Sequence, residues 1–283
     1  MAGGYFLASQ DRSLLKFEYI GTKSNIYIPP LPKPMITPTL LLTSENRLMC
    51  IGTKECYVLK NGIWSIHSNL QKARICSATV QMPNGIYLLG GIFSDQTSEF
   101  LPLNSNQWIE GPKSEIFKKN YKFRPYGNAL KLDDEEFVFT SENMIFKYNV
   151  RTNSSTYFEL QERIFAGKAS VLFHGKLMLT GGKIWKTNKY EYSAETILVD
   201  LKNGQSKHLG KLNIPRAMHQ MNIILMGNQR RIMAFGGHSK EGDLDSVEIF
   251  NENNQMWEIS NMKLNQGRSN FCCIGIPSKL IFN

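Results

Sequence analysis

One stretch near the carboxy terminus, residues 231–262, constrains the fold more than any other part of the chain. An apolar run stops at Gly236-Gly237, and a polar loop follows. Residues 246–250 then alternate between apolar and polar side chains, an asparagine-rich turn comes next, and Trp257 opens another short run. Period-two alternation between turns rich in glycine and asparagine is typical of short β-strands. The stretch therefore predicts three strands of one antiparallel sheet, lettered b, c and d.

The same order of elements recurs along the chain. Double glycines end the b strand in two further repeats, at Gly90-Gly91 and Gly181-Gly182, and two more repeats keep the order without them. A large aromatic residue stands at the start of most d strands: Trp64, Trp108, Tyr157 and Trp257. A period of about 50 residues predicts an array of small sheets, in which the aromatic residues pack between neighbours.

The two ends of the chain complete this pattern. Residues 5–9, 14–19 and 25–28 match strands b, c and d of a repeat that lacks its a strand, whereas residues 269–276 match an a strand with no sheet of its own. Pairing the two ends would complete one sheet and leave no open sheet edge between them. The sequence therefore predicts a closed ring.

We predict a single all-β domain over residues 1–283, a six-bladed β-propeller with four-stranded antiparallel blades. The carboxy-terminal strand completes the first blade and closes the ring. The predicted blades are blade one at 5–34 plus 269–276, blade two at 35–73, blade three at 74–123, blade four at 124–162, blade five at 163–215 and blade six at 216–263.

The double glycine, the tryptophan about 20 residues later and a P-R or G-R pair before the next strand resemble the kelch-repeat family. Residues 244–262, followed by QGRSNF at 266–271, look like the last blade of animal BTB-kelch proteins. The BTB and BACK domains that precede the propeller in such adaptors have no counterpart here. The resemblance implies a protein-binding propeller, either the substrate-recognition part of a cullin-RING ubiquitin ligase or an actin-binding or scaffold protein.

Arginines recur just before the predicted a strands, at Arg74, Arg124, Arg163, Arg216 and Arg268. Equivalent positions in a ring face the same mouth, so these side chains could form a basic collar. Resemblance to kelch adaptors that capture acidic peptides implies that the collar binds an acidic or phosphorylated protein segment, which the guanidinium fork suits. The alternative is that these arginines brace the connection between neighbouring blades.

Two long loops combine aromatic and basic residues, which is the composition of interaction hot spots. Residues 113–124 include Tyr121, and residues 183–193 include Trp185 and Tyr190. We expect these aromatic residues to contact a partner; the alternative is that they fold back onto a blade.

Enzyme chemistry is not expected from the sequence. The five histidines, His67, His174, His208, His219 and His238, are dispersed without metal-ligand spacing, and no hydrolase or nucleotide-binding motif occurs. We therefore predict no catalytic residue, no metal and no cofactor. A kelch-like metal-dependent enzyme is the remaining alternative.

Composition limits the class of binding partner and the cellular compartment that we expect. The net charge of +9 permits an acidic partner, but the basic residues are spread along the chain, which disfavours nucleic acid. Five cysteines without a CxxC pair, no signal peptide and no long apolar run predict a cytoplasmic protein, in the cytosol or on the cytoskeleton, away from membranes. The overall prediction is a non-catalytic module for an acidic protein partner, in a cullin-ligase or cytoskeletal assembly.

Overall fold

The computed structural model describes residues 4–8, 17–20, 28–33, 35, 37–94, 97–112, 129–160, 164–186, 188–226 and 229–276. Every regular element in these ranges is a β-strand. None of them contains a helix that could span a membrane. The all-β class predicted from the period-two patterns is confirmed.

Five sheets have four antiparallel strands each, and each sheet follows the predicted order a-b-c-d. Blade two contains β3 (Thr39–Leu42), β4 (Leu48–Ile51), β5 (Glu55–Lys60) and β6 (Ile63–Asn69). Blade three contains β7 (Ala78–Met82), β8 (Gly85–Leu89), β9 (Ser98–Pro102) and β10 (Ile109–Glu110). Blade four contains β11 (Leu130–Lys131), β12 (Glu136–Ser141), β13 (Met144–Asn149) and β14 (Ser154–Glu159).

The remaining two four-stranded blades carry insertions between strands b and c. Blade five contains β16 (Ala169–Phe173), β17 (Lys176–Thr180), β20 (Thr196–Val199) and β21 (Ser206–His208). Blade six contains β22 (Gln220–Met226), β23 (Gln229–Phe235), β26 (Ser246–Asn251) and β27 (Met256–Lys263). Four-stranded antiparallel blades in a propeller arrangement are thus confirmed.

The two ends of the chain share one further sheet. The terminal sheet contains β1 (Gly4–Ala8), β2 (Phe17–Ile20) and β28 (Cys272–Ile276), in the order β2-β1-β28. It has three strands within the described residues, and most of the predicted fourth strand, 25–28, lies outside them. The prediction of six four-stranded blades in a closed ring is therefore corrected: the described residues form five four-stranded blades, and they do not show a closed ring.

The insertions form small sheets of their own. In blade five, β18 (Lys183–Lys186) and β19 (Lys189–Tyr192) form a hairpin that also pairs with β15 (Ile164–Ala166). In blade six, β24 (His238–Ser239) pairs with β25 (Gly242–Asp243). The sequence predicts loops at both places, because neither segment has a run long enough to indicate a strand.

Apolar packing between neighbouring blades forms the core, as the aromatic positions predict. Trp257 is buried and donates its indole N–H to Thr196 Oγ1 of blade five at 2.8 Å. Trp64 and Trp108 are also buried. Tyr157 is the exception, since 47% of its surface is exposed. The three tryptophans therefore supply large apolar area between blades.

The double glycines lie where another segment of backbone comes close. A Cβ built on Gly236, whose φ is +54°, would lie 2.8 Å from the carbonyl oxygen of Arg268. At Gly91, with φ of +98°, the carbonyl oxygen of Ile75 would be equally close at 2.8 Å. Both the left-handed backbone and the close approach require glycine.

Candidate functional site

Three of the five arginines predicted to form a basic collar are buried: Arg74, Arg216 and Arg268. Arg74 Nη2 pairs with Glu99 Oε1 at 2.8 Å, and its Nη1 donates to the carbonyl oxygen of Gly90 at 2.8 Å. Burial lowers the pKa of the Arg74 guanidinium, and Glu99 opposes that shift. Arg74 is thus held inside the protein and is not available to an acidic segment.

Arg216 repeats this arrangement in blade six. Its Nη2 pairs with Glu248 Oε1 at 2.7 Å, and its Nη1 donates to the carbonyl oxygen of Gly236 at 2.8 Å. Glu248 also accepts the backbone N–H groups of Asn213 and Ile214. The pair therefore ties the connection before strand a to strand c of the same blade.

The predicted collar is corrected accordingly. Arg268 is 7% exposed, and its Nε donates to the carbonyl oxygen of Gln266 at 3.2 Å. Arg124, Arg163 and Tyr121 lie outside the described residues. The bracing role that the sequence left open fits Arg74 and Arg216, because a guanidinium fork satisfies several backbone carbonyls at once.

The other two predicted contact residues are exposed. Trp185 and Tyr190 face each other across the β18–β19 hairpin, with ring centroids 4.6 Å apart in an edge-on arrangement. Their exposed fractions are 46% and 58%. They do not fold back onto a blade, so the hairpin presents an aromatic surface to solvent.

A cleft of about 670 Å³ lies beside this hairpin, between the insertions of blades five and six. Its volume is within the range of small-molecule sites. Its lining mixes aromatic and apolar side chains with charged and amide groups: Lys189, Tyr190, Glu191, Tyr192, Asn213, Ile214, Pro215, Ser239, Lys240, Glu241 and Leu244.

A histidine–carboxylate pair adjoins the lining residues Ser239 and Leu244 in the sequence, although the pair itself is not part of the lining. His238 and Asp243 are cross-strand partners in the β24–β25 hairpin, and Nδ1 of His238 lies 2.6 Å from Oδ1 of Asp243. The ring of Tyr192 lies 5.8 Å from that of His238, centroid to centroid. Burial and the charge of Asp243 raise the pKa of the Tyr192 phenol, so Tyr192 stays protonated at neutral pH.

This pair sets the chemistry that His238 can perform. A carboxylate accepting the proton on Nδ1 fixes the tautomer in which Nε2 carries a lone pair. Such an imidazole can take a proton from a hydroxyl group. The pair is not evident from the sequence, in which His238 is one of five dispersed histidines. The two-residue turn that places His238 opposite Asp243 is Lys240-Glu241, which is not one of the favoured hairpin turns, so it gives no turn signal.

The donor set for a metal ion is missing from the part of the chain that the structure describes. No three His, Cys, Asp or Glu side chains come together there. His174 and His208 instead pair with Glu252 and Glu195. His219 is buried beside Thr180, and burial together with Arg216 lowers its pKa well below the ordinary value.

Comparison with known proteins identifies the fold. No family model matches the chain, and no curated protein does. A fungal alcohol oxidase of the AA5 family, solved in complex with copper, has a TM-score of 0.62 and 15% identity over 89% of this chain. This chain spans 57% of that oxidase. YjhT has a TM-score of 0.61 and 12% identity, and the match covers 91% of both chains.

Identities this low establish the propeller fold alone, yet they correct two predictions made from the sequence. The propeller fold and the dispersed histidines predict a non-catalytic interaction module with no enzyme activity. The same fold carries an alcohol oxidase, with the match covering 89% of this chain. The predictions that the chain is a non-catalytic module and that it is no enzyme are therefore withdrawn.

Proposed function

We propose that this protein is a propeller enzyme that binds a small hydroxyl-bearing molecule in the cleft beside the β18–β19 hairpin. His238 accepts the proton of the bound hydroxyl group. The observation that carries the proposal is the 2.6 Å contact between His238 Nδ1 and Asp243 Oδ1. An oriented imidazole next to a cleft is the arrangement that proton transfer needs.

The lining of the cleft supports a polar ligand with some apolar surface. Tyr190, Tyr192 and Leu244 offer apolar faces, whereas Glu191 offers carboxylate oxygens that accept hydrogen bonds. A hydroxyl group can donate a hydrogen bond to such a carboxylate. The fungal neighbour is named as an alcohol oxidase, which agrees with a hydroxyl-bearing ligand.

Copper is not carried over from that neighbour. The described residues lack a group of three metal-ligating side chains, and Nδ1 of His238 is already bonded to Asp243. The proposal therefore concerns proton transfer by this chain's own residues, and no step passes through a metal.

A ligand screen tests the proposed site. Small alcohols, polyols and sugars would be added to the protein singly, and binding would be measured by saturation-transfer NMR. We expect at least one compound to bind, and Tyr190→Ala to weaken its binding about tenfold or more by removing an aromatic contact. Tyr157→Ala is the matched control, since Tyr157 is an exposed tyrosine on blade four. A ligand that binds both variants equally would contradict the proposed location.

We also propose that the terminal sheet is the first of six blades of kelch type, with β28 as its inner strand. The support is the repeated motif and the position of β28, which neighbours the inner strands β22 and β3. The acidic protein partner and the cytoplasmic location stay predictions from the sequence.

A further inference from the structure

The outermost strand of blade two is an open sheet edge. Among the strands that the structure describes, β6 pairs with β5 alone, so the other side of its backbone meets no strand. It is seven residues long, and the exposed fractions of Ile63 and Ile66 are 69% and 60%. A long edge strand with exposed aliphatic side chains is a template for pairing with a further strand.

Charged side chains protect the other outer strands but not this one. A second strand that covers a charged edge has to remove those charges from water, which is costly. The sequence of β6, IWSIHSN, contains no Asp, Glu, Lys or Arg. Burial lowers the pKa of His67, so this residue is neutral at pH 7. The other four outer strands of the described blades carry charges: Glu110 on β10, Glu159 on β14, Lys207 on β21, and Glu258 and Lys263 on β27.

The turn before β6 shows which of its backbone groups face outward. Residues 61 and 62 have φ of +51° and +72°, as in the two-residue turn of type I′. The two residues that flank such a turn exchange both backbone hydrogen bonds, so Ile63 directs its N–H and C=O toward β5. Alternation along the strand then directs the N–H and C=O of Ile66 away from β5. Ile66 thus offers both an exposed side chain and outward backbone groups.

We propose that two copies of this protein associate through β6, antiparallel about a two-fold axis at Ile66. Ile66 of each copy donates its N–H to the C=O of its counterpart and accepts the counterpart's N–H. The second blades of the two copies then form one continuous sheet, and the two exposed isoleucine side chains cover each other.

A second copy suits this edge because the strand is complementary to itself. About a two-fold axis, each residue lies opposite the residue at the same distance on the other side of the axis. Ser65 therefore lies opposite the counterpart of His67, and no charged side chain of one strand meets a charge on the other. Direct pairing of aliphatic side chains across two antiparallel strands is favourable.

Sedimentation velocity on the full chain at pH 7 tests the proposal. The contact is one strand pair, which is smaller than a standard interface of about 800 Å² per partner, so we expect a weak dimer with a Kd of about 10–200 µM. Between about 5 and 500 µM protein, the average mass should rise from that of one copy toward that of two. A mass of one copy throughout this range would overturn the proposal.

Matched variants locate the contact. Ile66→Lys places two ammonium groups at the axis and should raise the dimer Kd at least about tenfold. Ile259→Lys is the control, because Ile259 is an isoleucine of similar exposure, 59%, on the outer strand β27. It should dimerise like the wild type. A dimer that Ile66→Lys leaves unchanged, or that both variants weaken equally, would overturn the proposal.

A cysteine pair gives a second readout that does not depend on introducing a charge. Ile66→Cys places the two introduced thiols directly opposite each other at the axis, so mild oxidation should link two copies at least about tenfold faster than it links Ile259→Cys. The five native cysteines are the same in both variants. Equal rates of covalent dimer formation would overturn the proposal.

Discussion

Arg216 and Glu248 form an ion pair in which both side chains are fully buried and the Nη2–Oε1 distance is 2.7 Å. Removing one member leaves the other charged and without its partner inside the protein. We expect Arg216→Ala to lower the free energy of unfolding by about 3–5 kcal/mol, measured by urea denaturation. Arg230→Ala, an exposed arginine of the same blade, is expected to change it by less than about 0.5 kcal/mol.

Replacing both members tests whether the pair acts as a unit. Arg216→Met combined with Glu248→Leu is expected to cost clearly less than the sum of the two single variants, because no charge is left buried alone. Simple additivity would show that the two side chains are not coupled and would contradict the bracing role.

The backbone register of the terminal sheet has a position equivalent to those of Glu99 and Glu248. In blades three and six, the a-strand residue five positions after the buried arginine is the cross-strand partner of a residue in strand b. That b-strand residue is in turn the cross-strand partner of the buried glutamate in strand c. The same path in the terminal sheet leads from Arg268 to Glu18, and the three paths run Thr79–Leu88–Glu99, Met221–Ala234–Glu248 and Cys273–Leu7–Glu18. Glu18 thus occupies the register position of Glu99 and Glu248, and exchanging the charges of Glu18 and Arg268 tests whether this position links the two ends of the chain.

A charge swap measures that link. Arg268→Glu and Glu18→Arg should each lower the melting temperature, and the double variant should recover part of the loss.

Removal of residues 269–283 should abolish the cooperative unfolding transition, because β1 loses its partner β28. A truncated protein that unfolds as cooperatively as the full chain would show that the terminal sheet does not close the propeller.

Lys168 makes stability depend on pH in a defined direction. Burial lowers its pKa to about 7 in the folded protein, compared with about 10.4 in an unfolded chain, so the unfolded state binds more protons between these values. The free energy of unfolding should therefore rise with pH above 7, by up to about 1.4 kcal/mol per unit, and this contribution should be constant below 7. The difference between wild type and Lys168→Met, measured from pH 6 to 9, isolates it. A difference that stays flat would contradict the lowered pKa.

The fold could be predicted from the sequence because its signals are local. Gly90-Gly91 and Gly236-Gly237 mark places where backbones approach, and Trp257 marks packing between blades, so each can be recognised within one repeat. The number of complete blades depends instead on pairing between residues far apart, such as β1 with β28. Local patterns indicate such pairing but do not determine it.

The candidate site was less predictable, since its chemistry depends on which side chains face each other. The arginines recur at one position in the repeat, but the sequence does not show that Glu99 and Glu248 lie beside them in the interior. His238 and Asp243 are paired by a two-residue turn within an insertion that has no strand pattern. Exposure of Trp185 and Tyr190 likewise follows from the hairpin and not from composition.

The central claim is that the His238–Asp243 pair transfers a proton from a hydroxyl-bearing ligand, and comparing turnover in matched histidine variants tests it most directly. Conversion of the panel of alcohols, polyols and sugars would be followed by NMR for wild type, His238→Gln and His174→Gln, the last an exposed histidine of blade five. We predict that His238→Gln lowers kcat by about 10²–10⁴-fold with little change in KM, whereas His174→Gln retains wild-type activity. Equal turnover by His238→Gln and wild type, or no turnover of any compound by the wild type, would contradict the claim.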